Sequence, residues 1–364
     1  MRPLRKRRLA AAVLLTLLVG FLLTPTGCYL SRAGWEEAKI LGARRSIDKL
    51  VRDPSVDAGT RGKLALVLAA RRFAADSVRL AAKESFTQYT RLASDTLVLV
   101  LNAAYRDQLR RYTWWFPIVG RVPYKGYFDV DAAQRAARDL DRQGFDVYLR
   151  PSSAFSTLGW FNDPVLSTTL REDSVDLANT VIHELTHNTF YAAGQAIFNE
   201  SFANFVGARG ASWFFRARGD TVAAAASDAR WADEKVLGRF YGALYHELDS
   251  AFKAHPGGGA VGKAMRIAVR DTIFARARET LASEVAPQLR TISPRAIVRS
   301  RLDNSTVLSR RVYLTDLELF DAVHDREGRD LRRAIERVVA IAKATPRDPY
   351  AGLRAWLEAH PPRG

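Results

Sequence analysis

Residues 174–210 read SVDLANTVIHELTHNTFYAAGQAIFNESFANFVGARG, and the interpretation of the whole chain starts from this stretch. From Ser174 to Tyr191 the apolar residues recur at helical spacing, which predicts one helix. The following residues predict a second helix that begins near Phe198 or Asn199. The stretch therefore predicts two neighbouring helices, one directly after the other.

The first of these helices carries His183-Glu184-Leu185-Thr186-His187, the pattern H-E-x-x-H. A spacing of four residues puts both imidazoles on one helical face, one turn apart, where they can bind the same metal ion. Glu184 follows the first histidine and can take a proton from water and pass it to a leaving amine. The alternative interpretation is a pair of helix-face histidines with a salt-bridging glutamate.

A third ligand is predicted on the second helix, thirteen residues after His187. Glu200 lies on the inner face of that helix near Phe198 and Phe202, and a buried carboxylate needs a partner. One Zn²⁺ ion would supply it, because two histidines and one glutamate leave one tetrahedral vertex free for water. Asn204, one turn further, is predicted to accept the second ring N–H of a ligating histidine. A glutamate at a solvated helix start is the alternative.

The segments on either side differ in pattern from these helices. The stretch from Trp35 to about Arg110 has helical spacing, whereas TWWFPIVGRVPYKGYFDV predicts short strands and turns. Residues Asp131 to Gln143 predict a helix, and the alternating FDVYLRPSSAFSTLGW predicts a pair of strands. The C-terminal part is again mostly helical, with breaks at residues 255–260 and at Ser293-Pro294.

This succession predicts an α+β fold that is predominantly helical, with a small mixed sheet rather than a Rossmann sheet. The composition, 48% hydrophobic and 26% charged over 364 residues, is that of an ordinary globular protein. We expect a signal peptide at residues 1–27 and an enzyme core at residues 111–260. The core would be wrapped by helical regions at residues 28–110 and 261–364.

The start of the chain, MRPLRKRRLAAAVLLTLLVGFLLTPTGC, has the layout of a secretory signal, so we expect an exported protein. Its apolar run from Leu9 to Leu23 is shorter than the roughly 20 residues of a spanning helix, which leaves a signal-anchor as the alternative. Cys28, the only cysteine, follows at a position that resembles the lipobox of bacterial lipoproteins. We therefore predict a lipid-anchored protein that faces the periplasm; a buried, inert thiol is the alternative.

The net charge of +16 is high, and five of the positive charges precede Leu9. The other basic residues are scattered and do not form one stripe with interleaved aromatics, so we expect no nucleic-acid partner. A basic surface beside anionic membrane lipid is the favoured interpretation.

The segments VIHELTHNTFY and NESFANFVG resemble the gluzincin branch of zinc peptidases, the thermolysin-like clan, which has H-E-x-x-H on one helix and N-E-x-x-x-D on the next. The resemblance implies a zincin-like catalytic core in which His183, His187 and Glu200 bind zinc and Glu184 is the catalytic base. Asn204 stands where the clan has aspartate.

The chain is also similar to the bacterial putative aminopeptidase family, whose members have an exported N-terminus and a C-terminal zincin core. The likeness covers most of the mature chain and includes the blocks GCYLSRAGWEEAKILGARRSIDKLV, WWFPIVGRVPYKGYFD and STLGWFNDPVLSTTL. It implies a peptide substrate. The two motif helices are closer in sequence than in thermolysin, which implies a tight connection through Ala192, Ala193 and Gly194.

Gluzincins place an edge strand before the zinc helix, where it pairs with the substrate backbone, and STLGWF occupies that place here. Gly159 would allow the peptide to approach closely, and Trp160 would form a pocket wall. An ordinary core strand is the alternative.

Peptide hydrolysis needs a group that stabilises the oxyanion, and an aminopeptidase also needs an acidic group that holds the substrate ammonium. Candidates to stabilise the oxyanion are Tyr313, His246, Tyr245 and His324. Tyr313 is preferred, because related enzymes use a tyrosine or histidine from the helices after the zinc ligands. Candidates to hold a substrate ammonium are Asp163 and Glu247, and since neither is singled out, endopeptidase activity stays open.

The function that these residues predict is a zinc-dependent peptidase, with an aminopeptidase as the favoured form. A zinc-stabilised envelope scaffold or assembly factor without activity is the alternative. A binding protein would have little use for Glu184, whose position serves proton transfer.

Overall fold

A computed structural model describes residue 16 and residues 20–92, 98–117, 120–152 and 164–361. The fold is α+β and predominantly helical, as predicted. The helices are α1 (Pro25–Gly42), α2 (Ile47–Arg52), α3 (Ala58–Phe73), α4 (Val130–Arg142), α5 (Ser174–Thr189), α6 (Ala196–Ala217), α7 (Thr221–Ala254), α8 (Gly259–Thr280), α9 (Pro294–Arg299), α10 (Asn304–Tyr313), α11 (Leu317–Arg326), α12 (Leu331–Ala344) and α13 (Pro349–Ala359). In the part of the chain that is described, no helix is long and apolar enough to cross a bilayer.

The strands are short and form small sheets. They are β1 (Arg45–Ser46), β2 (Gln88–Thr90), β3 (Val98–Tyr105), β4 (Trp114–Phe116), β5 (Gly120–Val122), β6 (Lys125–Tyr127), β7 (Phe145–Ser152) and β8 (Val165–Leu166). One sheet has the order β1-β2-β8, a second has the order β6-β3-β7, and β4 pairs with β5. In the second sheet β3 lies in the centre and is antiparallel to both neighbours, with Leu101 opposite Lys125 and Leu149.

The predicted strand, helix, strand succession corresponds to β6, α4 and β7. Helix α4 begins and ends one residue before the predicted Asp131 to Gln143, because Asp129 caps it by accepting from Ala132 N and Gly144 follows it with φ +85°. Leu140 of this helix packs on the sheet residues Leu101 and Val147. The second strand predicted in FDVYLRPSSAFSTLGW lies outside the described residues.

The expectation of helices from Trp35 to about Arg110 is wrong for its last part. Residues 98–105, VLVLNAAY, form the central strand β3, and β2 precedes it. A strand that is buried on both faces is apolar at nearly every position, so its sequence pattern resembles that of a buried helix. The region at residues 28–110 is therefore not helical throughout.

The main hydrophobic core surrounds α6, which is buried on nearly all sides. Its side chains Phe198, Phe202 and Phe205 pack with Phe320 of α11, at ring-centroid distances of 5.7–5.8 Å. A helix that is apolar all round belongs in the middle of a fold. The rest of the molecule therefore holds α6 in place, and α5 packs along it.

Candidate metal centre

Helix α5 begins where its sequence predicts a start. Asp173 caps it, because its carboxylate accepts from the backbone N–H groups of Val175 and Asp176. Arg230 of α7 pairs with the side-chain carboxylates of both Asp173 and Asp176. Burial of Ile182 and Leu185 fixes the rotation of the helix. His183 and His187 then lie on its partly buried side, with side chains 12% and 20% exposed.

Two glycines allow α6 to lie unusually close to α5. A Cβ atom at Gly207 would come within 2.2 Å of Asn179 Oδ1 and 3.2 Å of His183 Cβ, and one at Gly210 would come within 2.9 Å of Ile182 Cγ2. Sequence reasoning missed Gly207, although it follows Glu200 by seven residues and so shares its helical face. The close crossing brings Glu200 within reach of both histidines.

The connection between the two helices is short, as the spacing implied. Helix α5 ends at Thr189 and α6 begins at Ala196. The buried Asn199 clamps the connection, because its side chain accepts from Ala192 N at 2.9 Å and donates to Ala192 O at 2.8 Å. Asn199 thereby fixes the start of α6, and Glu200 is the next residue.

The three predicted ligands meet at one point. His183 Nε2 lies 3.3 Å from His187 Nε2 and 3.3 Å from Glu200 Oε2, and His187 Nε2 lies 3.7 Å from Glu200 Oε1. These residues form a group that could hold a metal ion. Ligands about 2.0–2.1 Å from a tetrahedral zinc lie about 3.3–3.4 Å apart. Two of the three distances match this spacing, and the third, to the other oxygen of Glu200, is 3.7 Å. A set of two imidazoles and one carboxylate also suits zinc chemically.

The charges of the centre depend on one another. Burial raises the pKa of Glu200, but hydrogen bonds and charges from His183 and His187 lower it more, to about 2. Burial lowers the pKa of His187, yet its hydrogen bond to Glu200 and the charges of Glu200 and Glu184 leave it raised overall. Glu200 is therefore an ionised carboxylate at neutral pH.

Glu184 is exposed beside the two histidines. Its carboxylate is not one of the three converging groups, so it is not needed as a metal ligand. It is accessible to solvent, and it is close enough to influence the pKa of His187 and Tyr313.

Tyr313 ends α10, which packs against α6, α7, β3 and β7. Burial of its hydroxyl, and then the charges of Glu200 and Glu184, raise its pKa to about 12, so the phenol keeps its proton. The ring is 37% exposed. The structure thus brings Tyr313 near enough to the centre for the charges of Glu200 and Glu184 to act on its hydroxyl.

The other oxyanion candidates lie in different surroundings. Tyr245 packs under Arg311, whose guanidinium carbon lies 3.8 Å from the ring centroid, and His246 packs edge-on against Tyr245. His324 packs on Phe205. None of these three is among the main causes of the pKa shifts of His187, Glu200 or Tyr313.

Asn204 has a contact that the sequence did not predict. Its side-chain amide donates to the backbone carbonyl of Tyr313 at 2.9 Å. This bond joins α6 to the end of α10 and helps to hold Tyr313 beside the centre. Its predicted bond from a histidine ring stays a prediction.

The remaining predicted residues are Glu247 and Cys28, which the structure describes, and three residues that it does not describe. Glu247 pairs with Arg276 of α8. Gly159, Trp160 and Asp163 lie outside the described residues. Cys28 is exposed near the start of α1, with its thiol 3.3 Å from Leu22 O.

A separate polar cleft of about 930 Å³ lies on the other side of α6. It is lined by Arg209, Lys235, Asp321 and His324 among others, and by none of the three converging ligands. Asp321 accepts from Arg209, Trp231 and Lys235 at 2.6–3.0 Å. Asp321 is therefore the centre of an ion-pair network at this cleft.

Comparison with known proteins gives one family, described as "Putative aminopeptidase", which matches residues 28–351. The match includes the centre and the helices that position it. No curated protein and no solved structure matches the chain.

Proposed function

The chain belongs to the putative aminopeptidase family, and on that premise we propose that it is a zinc-dependent peptidase that hydrolyses peptide bonds at the centre formed by α5 and α6. The observation that carries the proposal is the convergence of His183, His187 and Glu200, whose two ring nitrogens and two carboxylate oxygens lie 3.3–3.7 Å apart in the three closest pairs. The family name supports a peptide substrate, and the geometry supports the metal.

Zinc, when bound, would polarise the scissile carbonyl and make a water molecule acidic. The two imidazoles and the Glu200 carboxylate would hold the ion, leaving one vertex open. Glu184 would accept the proton of the attacking water and deliver it to the leaving amine. Tyr313 would donate its O–H to the oxygen on which negative charge develops.

Substitution of the base tests this assignment. Glu184→Gln keeps the shape of the side chain but removes its basicity, so kcat should fall by about 10²–10⁴. The zinc content of the purified protein should stay at one ion per chain, because Glu184 is not a ligand. Full activity in Glu184→Gln would refute the mechanism.

A fluorogenic peptide library, assayed with and without a chelator, tests the function itself. Activity that a chelator removes and zinc restores supports the peptidase. A requirement for a free substrate N-terminus would identify an aminopeptidase, whereas equal cleavage of acetylated peptides would identify an endopeptidase. A folded, zinc-loaded protein that cleaves none of them would favour the scaffold.

We further propose that the protein is exported and held at the membrane through its N-terminus, by lipid on Cys28 or by the apolar run before it. The basic start and the apolar run of the sequence support export. Fatty-acid labelling that persists in Cys28→Ser would exclude lipidation at this residue.

A further inference from the structure

Helix α1 exposes one stripe of side chains along its length. Cys28, Arg32, Trp35 and Lys39 are all exposed, and their spacings of four, three and four residues place them on one helical face. We call this set the α1 stripe. Trp35 lies at its middle and is 66% exposed.

A neighbouring side of α1, about 100° around the helix from the stripe, packs on the protein. The Tyr29 ring contacts Phe116 of β4 at a centroid distance of 5.4 Å, and Lys125 Nζ lies 4.6 Å from the Tyr29 centroid. Ile40 is buried further along. The rotation of the helix is therefore fixed, and the α1 stripe is held facing outward.

The chain before α1 indicates what covers the stripe. The apolar run ends at Leu23, which is 77% exposed, and Cys28 follows within the first turn of α1. Whether the anchor is this run or a lipid on Cys28, hydrocarbon enters the bilayer at the start of α1. The helix therefore meets the membrane at its first turn.

The position of Trp35 decides how the helix lies there. With a rise of 1.5 Å per residue, Trp35 is about 10 Å from Cys28 along the axis. The headgroup layer is only about 5–8 Å thick, so an upright helix would place Trp35 beyond it. A helix that lies flat places Trp35 in the interface, where tryptophan is enriched.

The charges of the stripe select the type of lipid. Arg32 and Lys39 flank Trp35 by about one turn on each side, and Lys39 also pairs with Glu36 at 2.6 Å. Basic side chains at a membrane surface favour anionic headgroups. We propose that the α1 stripe lies flat on an anionic lipid bilayer. The inference rests on the membrane anchoring proposed above and is independent of peptidase activity.

Tryptophan quenching in vesicles tests the inference. The full chain is reconstituted into vesicles with acyl chains brominated near the headgroup, with and without phosphatidylglycerol. Residues 1–34 contain no tryptophan, so the apolar run gives no signal of its own. Trp35→Phe should remove most of the lipid-quenched fluorescence.

Trp115→Phe is the matched control. Trp115 is 61% exposed but follows the alternation of β4, so it points away from Phe116 and the α1 contact. This variant should keep the lipid-quenched fluorescence. Arg32→Glu with Lys39→Glu should lower the ratio of quenched to unquenched Trp35 by on the order of tenfold in anionic vesicles. Arg135→Glu with Arg138→Glu, on the exposed side of α4, should leave it unchanged.

Each contrary result has its own meaning. A chain that sediments with vesicles but shows equal quenching in parent and Trp35→Phe overturns the α1 stripe and leaves anchoring intact. A chain that does not associate with vesicles refutes the anchoring too. A Trp35 emission that shifts with protein concentration in detergent without lipid would show that a second copy covers the stripe, which also overturns the proposal.

Discussion

The two faces of α6 each hold a buried carboxylate system, and they differ in the partners of the carboxylate. On the face toward α5, Glu200 contacts two imidazoles. On the opposite face, Arg209 of α6 reaches Asp321, which also accepts from Lys235 and Trp231. The Glu200 carboxylate faces two imidazole rings, whereas the Asp321 carboxylate faces a guanidinium group and an ammonium group.

This difference separates a site from a structural ion-pair network. Arg209 and Lys235 pair with Asp321 and balance its charge, so this carboxylate needs no metal ion. The imidazoles around Glu200 are metal ligands when neutral, and they leave the carboxylate charge to be balanced by a cation. The face toward α5 should therefore behave as a metal centre, and the opposite face should contribute to the stability of the fold.

The largest expected effect is the loss of a ligand. Glu200→Gln removes the charge that balances the metal, so zinc affinity should fall by more than about a hundredfold and peptidase activity with it. Zinc analysis after dialysis and activity at fixed zinc concentration measure this. Asp321→Asn is the control on the other face and should keep zinc and activity in the folded fraction. Equal zinc loss in both variants would contradict the separation of the faces.

The second effect concerns stability. Asp321→Asn leaves Arg209 and Lys235 facing a neutral amide, and because these groups are partly exposed we expect a loss of about 2–3 kcal/mol in the free energy of unfolding. Burial raises the pKa of Asp321, but Arg209 and the hydrogen bonds from Lys235, Arg209 and Trp231 lower it overall. Urea unfolding at neutral pH measures the loss.

The lowered pKa of Asp321 also gives a pH dependence with a definite sign. The stabilisation is fully present above the ordinary carboxyl pKa of about 4, and it is lost as pH falls through the lower pKa of the folded state. The difference in stability between parent and Asp321→Asn should therefore shrink as pH falls below about 4. A difference that grows on acidification would contradict the assignment.

The three metal ligands could be predicted from the sequence, but the contacts that hold the site together could not. The spacing of His183 and His187 and the apolar neighbours of Glu200 are local, and the structure brings these three residues together. The bond from Asn204 to Tyr313 joins residues 109 positions apart, and no local pattern in the sequence indicates it. The pattern of residues 98–105 predicts a helix where the structure has strand β3, because burial on both faces removes the alternation that marks a strand.

A third prediction concerns Tyr313, which lies on the Glu200 side. Tyr313→Phe removes the phenolic O–H, so kcat should fall by about 10–10² while KM and zinc content change little. The control is Tyr245→Phe, at a ring that packs under Arg311, and it should keep kcat. Equal losses in the two variants would mean that Tyr313 has no special place in the reaction.

The smallest effect tests the packing that brings the two helices together. In Gly207→Ala the new methyl group meets Asn179 Oδ1 at 2.2 Å and His183 Cβ at 3.2 Å, so α5 and α6 must separate slightly. His183 would then move relative to Glu200, and we expect zinc affinity to fall by about tenfold.

Gly242→Ala is the matched control, since nothing lies within 4 Å of its Cβ position on α7. It should keep the zinc affinity of the parent and gain slightly in helix stability. Zinc titration against a competing chelator distinguishes the two variants. If Gly207→Ala binds zinc as tightly as Gly242→Ala, the centre tolerates looser packing than the α5–α6 contact implies.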